Sequence, residues 1–277
     1  MEKNIPATEY YNEIQDEQDK ENYYQGINTG TTLFNDLQAL LTDTHHNQPG
    51  YAPSTHLYPL VDLHPDQLIR SIYSGKEFTV EELILLDAKV DEERQLEIVR
   101  LTQQESQMTK ESFQLALEDI ELTLPYNCEH VVPQSWFGKQ NPMRGDLHHL
   151  FACETKCNSF RGNLPYYDFE DYEPVPVVEL EAERQLCGKS ENNSFEPENN
   201  KGIVARAVLY FLVRYSGKLS NHYATEEEIN LLLNWHQSQP VTLFEKHRNQ
   251  CIYKVQGNRN PFIDHPDWGS VVNFLGE

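Results

Sequence analysis

Residues 126–137 read YNCEHVVPQSWF, which sets a thiol, a carboxylate and an imidazole side by side at Cys128, Glu129 and His130. A carboxylate next to a histidine is common on protein surfaces and says little alone. Two later stretches change its meaning: NPMRGDLHHLF at 141–151 and CNSFRGN at 157–163. They add the guanidinium groups of Arg144 and Arg161, the Lys156 ammonium and the Asn158 amide. Hydrolysis of a phosphodiester needs an activated water, neutralisation of phosphate charge and help for the departing oxygen. Histidine titrates near neutrality and can take the water's proton. A hard cation such as Mg2+ binds through one or two protein oxygens and keeps most of its waters. Glu129 and the Asn158 side-chain carbonyl form such a sparse pair. Arginine forks match phosphate oxygens, so Arg144 and Arg161, with Lys156 near them, are phosphate-binding candidates.

Neighbouring residues on a regular strand point to opposite faces. Glu129 and His130 can therefore serve one site only if the strand ends or twists there. Val131-Val132-Pro133 supplies the exit, because proline cannot donate to a ladder and restricts the residue before it. The pattern predicts a strand over 126–132, a second over 146–151 and a short helix over 154–161. Helical signals dominate both flanks. Thr79-Val80-Glu81-Glu82 and Thr225-Glu226-Glu227-Glu228 each read as a capping box. Residues 201–217 carry apolar positions at helical spacing with Gly217 as a stop, which marks a core helix. Residues 46–50 and 188–200 read as loops. The expected fold is α+β: one mostly helical domain over 1–277, built around a strand–strand–helix unit at 126–163, with an acidic extension at 1–70.

The stretches EHVVPQSWF, RGDLHHL and CNSFRGN, followed by FEPENNKGIVARA at 195–207 and QGNRNPFIDHP at 256–266, occur in an order that resembles the endonuclease I family. Its members are non-specific, metal-dependent nucleases with a ββα-metal, or His-Me finger, active site. The resemblance covers roughly residue 70 to the end and is less clear over 1–70. It implies that His130 is the general base, that Glu129 and Asn158 hold a single Mg2+ (with Mn2+ or Ca2+ as stand-ins), and that Arg144 contacts the phosphate and stabilises the product. DNA is the implied substrate, with RNA beside it and little sequence preference.

Charge sets a condition on this reading. The chain carries a net charge of −22, and residues 1–125 hold 24 acidic against 8 basic side chains. A polyanion-binding face is therefore expected in the later part, where Lys139, Arg144, Lys156, Arg161, Lys201 and Arg206 fall, with the acidic front as a solvated face. No run approaches the roughly 18 apolar residues of a membrane span. The first twenty residues hold no apolar signal region, and five cysteines are an odd number; both point to a cytoplasmic protein with reduced thiols. Loss of an export segment would instead make it secreted or periplasmic. For Cys128, Cys153, Cys157 and Cys187 three states stay open: buried thiols, which are favoured, a structural Zn2+, and disulfides. His148 and Asp146 read as structural hydrogen-bonding groups, Arg206 as a helix residue in need of a partner, and residues 257–260 as a turn. The rival function is a catalytically idle or zinc-stabilised module on the same fold that binds nucleic acid or protein. An inhibitor or regulatory partner is compatible with a nuclease kept inside a cell.

Overall fold

The computed structural model describes residues 10–172, 186–219 and 223–275. Helices α1 (Glu13–Tyr23), α2 (Leu33–Thr44) and the short α3 (Pro53–His56), which runs into a π-helical turn at Leu57–Val61, lead to a small ladder of β1 (Ile69–Arg70) against β2 (Glu77–Phe78). Helix α4 (Val80–Gln104) is followed by α5 (Lys110–Thr123), which folds back on it. Next come the antiparallel pair β3 (Cys128–His130) and β4 (Leu150–Ala152), then α6 (Thr155–Arg161) and the hairpin β5 (Gly188–Glu191) with β6 (Ser194–Pro197). Helices α7 (Lys201–Arg214), α8 (Glu226–Ser238), α9 (Leu243–Gln256) and α10 (Pro261–Asp264) complete the described chain. Helices dominate and the strands are short, as the α+β expectation requires.

The core forms where α7 is apolar on every side. Ile203, Val204, Ala207, Leu209 and Phe211 are all buried, and a helix buried all round must be central. It packs against α2, α8 and the 3-10 turn at Leu147–His149. On α2, Leu33, Leu37 and Leu41 recur every four residues and are at most 1% exposed. The front of the chain is thus partly core and partly shell. Residues 1–9 lie outside the described range. Asp16 is buried against Arg259, whereas α4 buries only Leu83 and Asp87 and leaves Leu85 and Leu96 exposed. The capping boxes at Thr79 and Thr225 form as expected, and Thr242 makes a third at the start of α9. Among the described residues no helix is long and apolar enough to cross a membrane.

Residues 188–200 are not a plain loop. Asn192 and Asn193, at φ 51° and 60°, make the left-handed turn that closes the β5–β6 hairpin. The second predicted strand also begins later, because Asp146 accepts from the His148 amide at 3.0 Å and starts a helical turn. The cysteine expectation is corrected as well. Cys157 and Cys187 form a disulfide, while Cys128, Cys153 and Cys251 are buried thiols. Two sulfurs of the conceivable zinc set are thereby joined to each other.

Candidate active site

Buried polar groups from distant parts of the chain hold the β3–β4–α6 unit in place. The ladder pairs Cys128 with Ala152, Glu129 with Phe151 and His130 with Leu150. At the entry to β3, Asp87 of α4 accepts from both the main-chain amide and the side chain of Asn127, at 2.9 and 3.0 Å. At the end of β4, the Ala152 amide donates to Asp62 at 2.6 Å. Arg248 of α9 donates to the carbonyls of Leu147 and Leu150 at 2.9 and 2.8 Å and is ion-paired with Asp62. The bonds to the Asn127 and Ala152 amides and to the Leu147 and Leu150 carbonyls meet backbone groups in and around a short two-stranded ladder.

Strand alternation sends the two adjacent residues in different directions. Glu129, 2% exposed, accepts from the Tyr73 hydroxyl at 2.8 Å, with the Arg161 guanidinium 3.4 Å away. His130 lies among Tyr51, His149 and residue 144. Its ring centroid is 4.7 Å from that of Tyr51, and its Nε2 is 2.9 Å from the Arg144 carbonyl oxygen. A carbonyl can only accept, so Nε2 carries the proton and Nδ1 keeps a lone pair. Nδ1 has no hydrogen-bond partner among the described residues. Burial first, then the neighbouring His149, holds the His130 pKa well below its ordinary value, so the ring is neutral at pH 7. Burial pushes Glu129 up to about 7 against the pull of Arg161 and Tyr73.

Asn158 sits on the same strand from the helix side. Its Nδ2 donates to the Cys128 carbonyl at 2.9 Å, on the peptide that leads into Glu129. That bond orients the amide, and its Oδ1 accepts nothing from any described residue. The Asn158 side-chain oxygen and the buried Glu129 carboxylate are hard donors of the type a Mg2+-like ion takes. The Arg144 side chain donates from Nε to Gln134 at 2.8 Å, pairs with Glu121 at 3.3 Å and lies 5.2 Å from the Tyr51 ring.

The cationic face is smaller than the sequence suggests. Arg161 is fully buried and spends its donors on the carbonyls of Val131 and Gly162. It braces the turn out of β3 and does not face solvent. Arg206 is buried against Glu245, and Lys201 pairs with Asp168 and Glu196. Arg144, Lys139 and the exposed Lys156 remain near the unit. His148 and Asp146 are structural as expected: His148 Nε2 lies 3.3 Å from the Asn258 carbonyl, and Asp146 accepts from Tyr210 and Tyr215 at 2.8 Å. Tyr73, Tyr51, Gln134 and Glu121 escaped the sequence reading. Tyr73 precedes Glu129 by 56 residues, and no local spacing marks it.

A family model described as Endonuclease I matches residues 29–267, which reaches further toward the N-terminus than the motifs alone. An extracellular ribonuclease of Bacillus subtilis (strain 168) is 35% identical over 163 residues, covering 53% of this chain and 54% of that protein. A periplasmic deoxyribonuclease of Aeromonas hydrophila is 30% identical over 154 residues, covering 49% and 62%. An extracellular deoxyribonuclease of the same organism is 30% identical over 156 residues, covering 49% and 64%. The chain thus spans from about half to under two thirds of the length of these relatives. Their extracellular and periplasmic names overturn the expectation of a cytoplasmic protein.

Proposed function

The chain belongs to the endonuclease I family, and from that premise we propose that it is a metal-dependent endonuclease that hydrolyses phosphodiester bonds of DNA and RNA with little sequence preference. The observation that carries this reading is the His130 tautomer: a neutral ring, pinned at Nε2 by the Arg144 carbonyl at 2.9 Å, with its basic Nδ1 unengaged. In the proposed reaction Nδ1 takes the proton of the attacking water. Arg144 meets the phosphate oxygens with a guanidinium that Gln134 holds at Nε and from which the phosphate displaces Glu121. Glu129 and Asn158 are the groups that would hold Mg2+, with Mn2+ or Ca2+ as substitutes, and β3–β4–α6 is taken as the ββα-metal unit. When bound, such an ion supplies positive charge for the phosphate and for the departing 3′ oxygen.

Tyr73 and Arg161 act on Glu129 from behind. They keep a buried carboxylate in one orientation and partly ionised where burial alone would neutralise it. The nuclease names of the relatives support the reaction class for DNA and RNA alike. Action outside the cytoplasm is proposed with it, since the Cys157–Cys187 bridge suits an oxidising compartment. Conversion of supercoiled plasmid, assayed beside an unstructured RNA with Mg2+ and with EDTA, tests the proposal. Cleavage that requires the cation is expected. Equal cleavage in EDTA would remove the metal, and no cleavage of either polymer would remove the nuclease.

A further inference from the structure

An aromatic-walled cleft of about 570 Å3 opens between residues 163–167, the β5–β6 turn and the start of α8. Tyr166, Tyr167 and Tyr223 line it, together with the amides of Asn163 and Asn193. Two hydrogen bonds connect it to the catalytic unit. The Tyr166 hydroxyl is 2.8 Å from the Tyr73 hydroxyl, which donates to Glu129 at 2.8 Å. A second connection runs through Arg161, whose guanidinium lies 4.9 Å from the Tyr166 ring and 5.9 Å from the Trp136 ring. Trp136 in turn stacks on Tyr223 at 4.2 Å with 6° between the planes.

We propose that this cleft is a nucleobase subsite, which takes one unpaired base of a single-stranded stretch next to the scissile phosphate. The inference rests on the nuclease reading above. The cleft's chemistry selects the uncharged, planar part of a nucleotide. Glu227 and Glu228 line it, and no lysine or arginine does so among the described residues, so a phosphate is repelled. Aromatic faces stack on any base, and side-chain amides both donate and accept along its edge. The volume is in the range of small-molecule sites.

The stacking surface is built in advance. The Tyr167 amide donates to the Phe195 carbonyl at 2.9 Å, and the Phe195 amide donates to the Pro165 carbonyl at 2.9 Å, so β6 fixes the segment. Tyr167 as a residue nevertheless stays 51% exposed, and its ring centroid lies 4.8 Å from that of Phe169. An exposed aromatic ring held by main-chain bonds loses little freedom when a base covers it. In a duplex the bases are already paired and stacked, so only a single strand or an extruded nucleotide can reach the cleft.

The test compares binding of a labelled single-stranded oligonucleotide and its duplex to the full chain in EDTA, for wild type, Tyr167→Ala and Tyr167→Phe. Tyr167→Ala should weaken single-strand binding about tenfold, the usual scale for one stacked base. Duplex affinity should stay within about twofold, and Tyr167→Phe should keep wild-type behaviour. Equal losses for both polymers, or no loss for either, would overturn the subsite. Plasmid cleavage by the same preparations separates the two readings. If it persists while Tyr167→Ala binds single strands normally, only the subsite fails; if wild type cuts no nucleic acid, the nuclease reading fails first.

Discussion

His130 and Arg144 are joined through the main chain and not through their side chains: the imidazole Nε2 donates to the Arg144 carbonyl oxygen at 2.9 Å, while the guanidinium runs to Gln134 and Glu121. The two proposed roles are therefore separable by mutation. Arg144→Ala keeps the carbonyl that fixes the ring and removes the phosphate contact together with the guanidinium's bonds to Gln134 and Glu121. A charged hydrogen bond of this kind is worth about 1.5–3 kcal/mol, so kcat/KM should fall roughly 10- to 150-fold. The His130 limb of the pH profile should move only slightly upward, because the guanidinium's charge is one of the lesser causes holding that pKa down, after burial and His149. A profile shifted by more than about one pH unit in Arg144→Ala would mean that the guanidinium, and not burial and the carbonyl, sets the histidine.

Glu121 occupies the guanidinium edge and also pairs with Lys139 at 3.1 Å. A phosphate must compete with that carboxylate. The pair is partly exposed, so its strength is at most about 1 kcal/mol. Glu121→Gln should tighten DNA binding in EDTA by up to about fivefold, with the largest gain at low salt. Unchanged or weaker binding would show that Glu121 orients the arginine and does not obstruct it.

As a ligand in the proposed site, Glu129 would make cation binding pH-dependent. Its pKa in the metal-free protein is pushed up to about 7 by burial, so a proton competes with the ion below neutrality. This group's contribution to stability is present below its ordinary carboxylate range and is lost as pH rises through about 7. Mg2+ should restore the lost part by binding only the folded chain. The rise in Tm on adding Mg2+ should be larger at pH 8 than at pH 6 and absent in Glu129→Gln. An equal rise at both pH values, or one that survives the substitution, would contradict the ligand assignment.

Buried and half-buried histidines act in the opposite direction. His45, His64, His130, His148, His149, His236, His247 and His265 are all held below their ordinary pKa, with burial the first cause in each. The unfolded chain takes up protons at these rings before the folded one does. Their contribution is therefore complete above about pH 6.5 and lost as pH falls toward the folded values, about 4 for His64 and His148. Denaturant titrations should show stability dropping steeply between pH 6.5 and 5, with net proton uptake on unfolding. Equal stability at the two pH values would contradict this picture.

How much of this the sequence disclosed depends on range. Capping residues, the apolar spacing of α7 and the exit of the chain at Val131-Val132-Pro133 act locally, and each was legible where it stands. The pairing of β3 with β4 and the short helix that carries Asn158 followed from motif order. The residues that tie these pieces together were not legible. Tyr73, Asp62 and Asp87 reach the unit from 56, 90 and 40 residues away along the chain, and a polar side chain carries no local mark of such a partner. The role of Arg161 and the partner of Arg206 stayed open for the same reason. Composition makes every arginine a candidate for phosphate, and only burial against Glu129 or Glu245 shows that these two are occupied.

The most direct measurement is single-turnover plasmid cleavage by His130→Ala in saturating Mg2+, with and without added imidazole, on protein whose thermal unfolding matches wild type. Loss of a general base predicts a rate lower by about 10²-fold or more, partly restored by imidazole. A rate within about threefold of wild type would contradict the assignment of the base on which the account depends.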